Sequence, residues 1–582
     1  MSSIAETSVK LNIDGQDISV PKSYTILQAA RLVGLDIPHL CYHPELAREG
    51  NCRVCLVEVE GARSLVASCV YPVAEGMKVH TNTENVRETR KTVVELMLAN
   101  HPEDCLFCVK NQHCELQAIA ADLGIRRVRF HGEKRKAKKD ESNPSIVRDP
   151  EKCILCTRCV RACSERQGLD IFSSVNRGFN SIVEPAFGLG LDEVACSYCG
   201  QCTTVCPTAA LTERDDTQLV WDALSDPDKY VVVQTAPSVR IGLGEEFGMK
   251  SGGIVTGKMV AVLRRLGFDK VFDTDFAADL TIMEEGHELL HRLKNGGVLP
   301  MMTSCSPGWI NFVETTHPEM IPHLSTAKSP QGMFGATVKT YFAERAEIDP
   351  AKIVSVSVMP CTAKKWEAKR PQLNDSGFRD IDIVITTREL ARMIKQTGID
   401  FMNLPDEEFD DPMGISTGAG QIFGATGGVM EAALRTAYEV YTGKTLENID
   451  FVAVRGLDGI KEASVDLGGG TILKVVVAHT LRNAEKLLEK VKNKEADYHF
   501  IEIMACPGGC IGGGGQPYPT DAEVRQARID AIYNADAHMK YRKSHENPSI
   551  KELYDTWMGK PLGERAHHLL HTHFTPWEGR LR

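Results

Sequence analysis

The order of apolar and polar positions divides the chain into regions of different period. Residues 8-SVKLNIDGQDISVPKSYTILQAARLVGLDIPHLCYH-43 alternate about an Asp-Gly pair and then change to helical spacing. This predicts a hairpin followed by a helix. From about residue 225 the strings 230-YVVVQTAP-237, 353-IVSVSVMPC-361 and 381-IDIVITT-387 are short, apolar and β-branched, as expected of strands buried on both faces. Between them, 257-GKMVAVLRRLG-267 and 281-TIMEEGHELLHRLKNGG-297 carry helical spacing and end at glycine. The region is therefore α/β, with active residues expected at strand ends. The tail, 522–574, is helical in pattern and rich in charge, which is expected to be exposed.

Composition sharpens this division. At 582 residues the chain exceeds what one core organises, and roughly three to five domains are expected. The balance of 67 basic against 78 acidic residues, net -11, gives no support to nucleic-acid binding, and the basic run 133-EKRKAKK-139 reads as a solvated linker. The N-terminal MSSIAETSVK does not resemble a signal peptide, and no apolar stretch nears the roughly 20 residues of a membrane helix. A cytoplasmic location is expected. There the nineteen cysteines point to metal rather than disulfides, because cytosolic thiols are kept reduced.

Fifteen of those cysteines precede residue 207. Cys41, Cys52, Cys55 and Cys69 follow the hairpin-helix pattern, as in a small β-grasp domain, and suit a rhombic 2Fe-2S centre. The interval from Cys41 to Cys52 is longer than in plant ferredoxins, and a zinc ribbon is the alternative. Next, 101-HPEDCLFCVKNQHC-114 reads H-x3-C-x2-C-x5-C. His101, Cys105, Cys108 and Cys114 could hold zinc or a 4Fe-4S cube, with His101 rather than His113 completing the set. The runs 153-CILCTRCVRAC-163 and 196-CSYCGQCTTVCP-207 both have the C-x2-C-x2-C-x3-C spacing of two-cluster ferredoxins. In that arrangement the fourth cysteine serves the other cube, which groups Cys153, Cys156, Cys159 and Cys206, and separately Cys163, Cys196, Cys199 and Cys202. One 2Fe-2S and three 4Fe-4S clusters in a single chain describe an electron wire.

The last four cysteines occupy three strings, 303-TSCSPGW-309, 359-MPCTAKKWE-367 and 502-EIMACPGGCIGGGG-515. Together these strings closely resemble the signature segments of the iron-only (FeFe) hydrogenases. The resemblance covers essentially the whole chain and is greatest to catalytic subunits of multimeric, pyridine-nucleotide-linked types, electron-bifurcating ones included. It implies five segments: a 2Fe-2S ferredoxin-like domain (1–82), a one-histidine/three-cysteine 4Fe-4S domain (83–135), a two-4Fe-4S ferredoxin domain (140–216), an H-cluster domain (225–516) and a small-subunit-like tail (520–582).

The resemblance also implies the active chemistry: reversible oxidation of hydrogen at a 4Fe-4S cube bridged to a diiron subsite carrying CO, cyanide and an azadithiolate. Cys361, Cys506 and Cys510 match three cube ligands, Cys510 being the bridging one. Lys364 matches the lysine at one cyanide, Pro237 and Ser238 the loop at the other, and Met359 and Met504 residues packed near the diiron unit. The glycines of 508–515 are expected to let backbone approach a bulky cluster. A proton relay corresponds to Cys305, Glu285, Glu288 and Ser325, with the two glutamates three apart on one helix face.

The first string departs from the family form, which has two adjacent cysteines, relay then ligand. Counting from Glu288 places Cys305 at the relay position and Ser306 at the ligand position. A serine hydroxyl is a harder, far less acidic ligand than a thiol, so the expectation leans to Cys305 as iron ligand, with relay as the alternative. Every cysteine then becomes a ligand. In the tail, His567, His568, His571 and His573 read as surface or packing residues rather than a metal site.

Two other functions compete. The large iron-sulfur subunit of respiratory complex I has a similar cluster order but lacks the three strings, and a hydrogen-sensing or disabled relative is favoured by Ser306 alone. No P-loop is present, and the glycine string 507-PGGCIGGGGQP-517 reads as lying outside a βαβ context. Reduction of NAD(P) then requires flavin/NAD(P)-binding and ferredoxin-like partner subunits, with ferredoxin as a further partner.

Overall fold

The computed structural model describes residues 7–468, 470–577 and 579–580. The predicted hairpin is Ser8–Ile13 with Gln16–Pro21, turning at Asp14 and Gly15 with φ of 47° and 87°. Two positive φ values match the right-handed twist of the paired strands. Ser8–Ile13 then pairs in parallel with Met77–His80, which joins Leu56–Val59 and Val66–Ala67. The helix Ile26–Leu32 starts at a Thr25/Gln28 capping box and packs its buried face on this sheet.

The duplicated cysteine runs are also duplicated in backbone conformation. Leu155 and Tyr198 have φ of 55° and 60°, and Thr157 and Gly200 have φ of 57° and 69°, at equivalent places in the two runs. Left-handed residues at these points turn successive N–H groups to one side, as cluster loops require. Short helices follow at Arg158–Arg161 and Gln201–Val205, and Ile146–Arg148 pairs antiparallel with Leu211–Glu213 to close the unit.

Beyond residue 225, two sheets of four strands carry the catalytic region. One has the order Lys270–Asp273, Tyr230–Thr235, Ile353–Met359, Ile383–Thr386, all parallel. All three predicted strands lie in it. The other runs Met301–Met302, Phe500–Met504, Ile472–His479, Ile460–Asp466, parallel except for the last hairpin. The predicted helices are Thr256–Leu266 and Thr274–Asn295, stopped by Gly267 and Gly296 at φ of 105° and 75°.

Two expectations change here. The glycine string begins just past the parallel strand Phe500–Met504 rather than outside strand context. Its glycines admit backbone to backbone: a Cβ at Gly512, Gly513 or Gly514 would meet Pro507 O at 2.1 Å, Pro360 O at 2.2 Å or Cys199 O at 2.6 Å. The string is thus threaded between the Pro360 turn and a ferredoxin loop. In the tail helix Ala522–His538, several charges are buried, not exposed. Arg528 pairs with Glu245 and donates to Ile511 O at 2.7 Å, while Asp536 pairs with Arg435 and Arg542. Such charges tolerate burial because each is paired and hydrogen-bonded.

One carboxylate links three regions: Glu45 of the N-terminal domain pairs with Arg166 at 2.8 Å and with Arg525 of the tail at 2.7 Å. The ferredoxin unit is held on the catalytic region by Gln167 Nε2 to Ala505 O and Gln201 Nε2 to Gly512 O, both 2.9 Å, and Thr362 Oγ1 to Tyr198 O at 2.8 Å. Gly514→Val is expected to force this interface apart and destabilise the protein by about 1–3 kcal/mol. A lowered Tm by calorimetry, with the N-terminal domain still folded, checks it; an unchanged Tm contradicts the threading.

Candidate active site and cysteine groups

The four N-terminal thiols are buried and converge. Cys41 N–H donates to Cys52 Sγ at 3.4 Å. Hydrogen bonding to Cys52, then Cys69, holds the Cys41 thiol low, and the same contacts push Cys52 and Cys69 up. Cys55 is lowered to about 7, chiefly by Cys69. In the next group His101 is buried while His113 is exposed, and burial lowers His101 to about 4. A neutral imidazole at pH 7 keeps a lone pair for a metal. Cys105 is exposed, with Leu106 and Phe107 beside it also exposed, and Cys108 and Cys114 are half-buried.

Both groups touch the ferredoxin unit, the first through Arg161 of its first run and the second through Cys206 of its second. Arg161 donates to Cys41 O at 2.7 Å and to Cys156 O at 3.1 Å, and Lys110 donates to Cys206 O at 2.7 Å. Burial raises Cys153, Cys156, Cys159, Cys163, Cys196, Cys199 and Cys202. Thiols in such places become thiolates only when a metal compensates the charge. Among the described residues no group of three or more His, Cys, Asp or Glu side chains is drawn together for a single ion. Cluster ligation does not require that geometry, since the thiolates of a multi-iron cluster bind different irons.

The carboxyl ends of the two sheets meet around a cavity of about 70 Å³. Pro237 follows Tyr230–Thr235, Cys305 and Ser306 follow Met301–Met302, Cys361 follows Ile353–Met359, and Cys506 and Cys510 follow Phe500–Met504; all line the cavity, with Met359, Met504 and Phe423. Ligand sites in α/β sheets form outside the carboxyl ends of strands. Burial pushes Cys361 up to about 11 and Cys510 to about 12, and raises Cys506 further. Cys506 has Cys361, Cys199 and Cys510 as its charged neighbours, and its thiol faces Cys199 O at 3.9 Å. The second ferredoxin group therefore adjoins the cavity. Ser238 is buried beside it, its carbonyl accepting from Gln516 Nε2 at 2.9 Å, and does not line the cavity.

Cys305 and Ser306 face different surroundings. Burial raises the Cys305 thiol well above its ordinary value; the charge of Glu285 adds to this and that of Lys364 opposes it. Ser306 begins the helix Pro307–Thr316 without capping it; its Oγ instead accepts from Ala505 N–H at 3.2 Å, beside Cys506. Both residues line the cavity that Cys361, Cys506 and Cys510 share.

Glu285 and Glu288 share one face of Thr274–Asn295 and are both buried. Both Glu285 oxygens lack a hydrogen-bond partner among the described residues, and burial, then the charge of Glu288, raises it to about 8. Glu288 accepts from Ser325 Oγ at 2.9 Å, Thr326 N–H at 3.0 Å and Arg292 Nη2 at 2.6 Å. Lys364 donates to Glu367 at 2.7 Å, Ser329 Oγ at 2.8 Å and Cys305 O at 3.2 Å.

Sequence reading missed Glu367, Ser329 and Gln331, which fix Lys364, and Arg292, which fixes Glu288. Helical spacing was the available signal for two of them, Glu367 being i+3 from Lys364 and Arg292 i+4 from Glu288.

Comparison with known proteins defines the class. Family models match for a 2Fe-2S iron-sulfur cluster binding domain (6–84), an NADH-ubiquinone oxidoreductase-G iron-sulfur binding region (90–129) and a 4Fe-4S dicluster domain (152–210). The models "Iron only hydrogenase large subunit, C-terminal domain" and "Iron hydrogenase small subunit" match 229–514 and 522–577. The NADP-reducing hydrogenase subunit HndD of Solidesulfovibrio fructosivorans is 53% identical over 97% of this chain and 98% of its own length. Iron hydrogenase 1 of Clostridium pasteurianum is 43% identical over 96% and 98%. A solved structure of the [FeFe]-hydrogenase HydA1 from Chlamydomonas reinhardtii, in variant form, is 48% identical with a TM-score of 0.56, covering 62% of this chain and 99% of that one. The chain belongs to the iron-only (FeFe) hydrogenases. Its reaction is hydrogen oxidation and proton reduction, with electrons relayed by the N-terminal iron-sulfur domains.

The geometry predicts that Glu285 is protonated at neutral pH and ionises as pH rises through about 8. Infrared difference spectra across that range should lose one carboxylic C=O band, absent from Glu285→Gln. A band that titrates in the ordinary carboxylate range contradicts this.

Proposed function

We propose that Cys361, Cys506 and Cys510 hold the cube of the H-cluster, that Ser306 occupies its fourth corner, and that Cys305 carries protons rather than iron. The donor set, the raised buried thiols and the glycine-threaded wall fit such a group. When bound, with its diiron CO/cyanide/azadithiolate subsite, that group supplies the metal at which hydrogen is split or formed.

This chain's residues do the rest. Lys364, held in place by Glu367 and Ser329, presents a fixed positive charge to the cavity wall, and Pro237, Met359, Met504 and Phe423 exclude water. The Glu288 carboxylate, bonded by Arg292, takes the Ser325 hydroxyl proton as Ser325 takes the proton of Glu285; the Glu285 carboxylate so formed takes the Cys305 thiol proton, and the thiolate is reprotonated from the cavity. The observation that carries this reading is that Ser306 Oγ is bonded to the Ala505 N–H beside Cys506, while the charge of Glu285 weighs most on the buried Cys305 thiol. A raised pKa in Glu285 suits a group that must both accept and release a proton near neutrality.

Electrons follow from the cavity through the Cys163/Cys196/Cys199/Cys202 cube to the Cys153/Cys156/Cys159/Cys206 cube. There the path forks to the 2Fe-2S group through the Arg161 contacts and to the His101 group through Lys110. Two exits serve partner subunits that bind flavin and NAD(P) or are ferredoxin-like, with ferredoxin itself at one of them in a cytoplasmic, electron-bifurcating assembly of an anaerobe. Supporting this are the HndD relative, named as a subunit of an NADP-reducing hydrogenase, and the exposed Leu106 and Phe107 beside Cys105.

In matured enzyme, Cys305→Ala is expected to retain its iron and the electron paramagnetic resonance of the cube while hydrogen-dependent viologen reduction falls by about 10²-fold or more. Ser306→Ala should instead alter the cube signal, and Ser306→Cys preserve iron content. Loss of cube iron in Cys305→Ala, with Ser306→Ala unchanged, contradicts the assignment.

A further inference from the structure

Past Glu288 the hydrogen bonds do not end. Thr326 Oγ1 lies 3.3 Å from Glu288 Oε2 and 2.8 Å from His571 Nδ1. His571 Nε2 lies 3.0 Å from Glu284 Oε2, and Glu284 also accepts from Leu562 N–H at 2.9 Å and from the Tyr554 hydroxyl. Glu284, Tyr554 and His571 are all buried. His571 comes from the tail, which is laid against the relay segment as a short antiparallel bridge. Thr572 N–H donates to Thr326 O at 2.7 Å, and Lys328 N–H to Leu570 O at 2.8 Å.

The donors fix the tautomer. An ionised Glu284 only accepts, so His571 Nε2 carries the hydrogen and its Nδ1 lone pair faces Thr326. We propose that His571 is the outer proton acceptor of the relay, acting through Glu288; this rests on the reading of Glu288 as a proton carrier. In one step the Glu288 O–H bond breaks and its proton joins Thr326 Oγ1, whose own proton passes to His571 Nδ1. One proton moves and no electrons do. The products are the Glu288 carboxylate, facing the reoriented Thr326 hydroxyl and Arg292, and a His571 imidazolium donating to the Glu284 carboxylate. The imidazolium is stabilised where it forms, because Glu284 is its direct partner. The exposed His567 stacks on the same ring at 4.9 Å, placing this end of the network against the surface helix Glu564–Leu570. The structure buries His571, so it is not a surface residue, and the proposal gives it a place in the reaction path.

The test compares matured wild type with His571→Gln and Thr326→Val, the second leaving the His571–Glu284 pair intact. Hydrogen-oxidation rates are measured across pH, and the His571 midpoint is read from deuterium exchange at its ring C2–H by mass spectrometry. Below that midpoint His571 is already protonated and cannot accept, so wild type and variants should agree. Above it the wild-type advantage should rise to about threefold, short of the roughly 10²-fold or greater loss expected on removing a direct general base. A merely structural role gives a ratio that does not change with pH. Glu288→Gln should also shift the His571 midpoint downward. A pH-independent ratio in both variants, or a midpoint that Glu288→Gln leaves in place, overturns the proposal. Wild-type hydrogen oxidation in Glu288→Gln instead overturns the relay reading on which it rests.

Discussion

The structure depends on burying thiols where a thiolate alone is not stable. Cys361, Cys506 and Cys510 lie at the carboxyl ends of parallel strands in an apolar cavity, and burial drives each thiol upward. Only a bound metal group returns the cost of ionising them. The same burial raises seven of the ferredoxin cysteines, from Cys153 to Cys202. The meeting of two sheets, the threading of glycines 512–514 past three backbone carbonyls, and the Gln167 and Gln201 bonds all bring the last ferredoxin group against the cavity.

Charge is controlled differently on the two sides of that cavity. On the electron side, cationic side chains bond the backbone carbonyls of the ligand loops, as Arg161 does at Cys41 and Cys156 and Lys110 at Cys206. On the proton side, among the described residues, both Glu285 oxygens lack a hydrogen-bond partner while Glu288 is bonded by Ser325, Thr326 and Arg292. Burial thus makes Glu285 a carboxyl that holds its proton near neutrality, next to a Glu288 whose oxygens are hydrogen-bonded.

Much of this was legible in the residues. The cysteine spacings, the Asp-Gly hairpin, the three β-branched strands and the glycine-stopped helices all follow from short-range rules, and the structure contains each of the predicted strands and helices. Long-range placement was not legible. Cys305 and Ser306 are adjacent in sequence, and only the orientation of the turn before Pro307 decides which faces Glu285 and which faces Ala505. Chemical softness favours the thiol as ligand, whereas the proposed assignment gives that place to the hydroxyl. Arg528 and Asp536 looked like surface charge because their partners lie far away in sequence, and His571 looked incidental because Thr326 and Glu284 are some 245 and 287 residues distant.

The most direct test is an iron-edge anomalous difference map of crystals of the matured enzyme. The account predicts iron within bonding distance of Cys361, Cys506 and Cys510, the fourth corner at Ser306, and the Cys305 thiol unbonded and turned to Glu285. Iron bonded to Cys305, with Ser306 turned away, would contradict it.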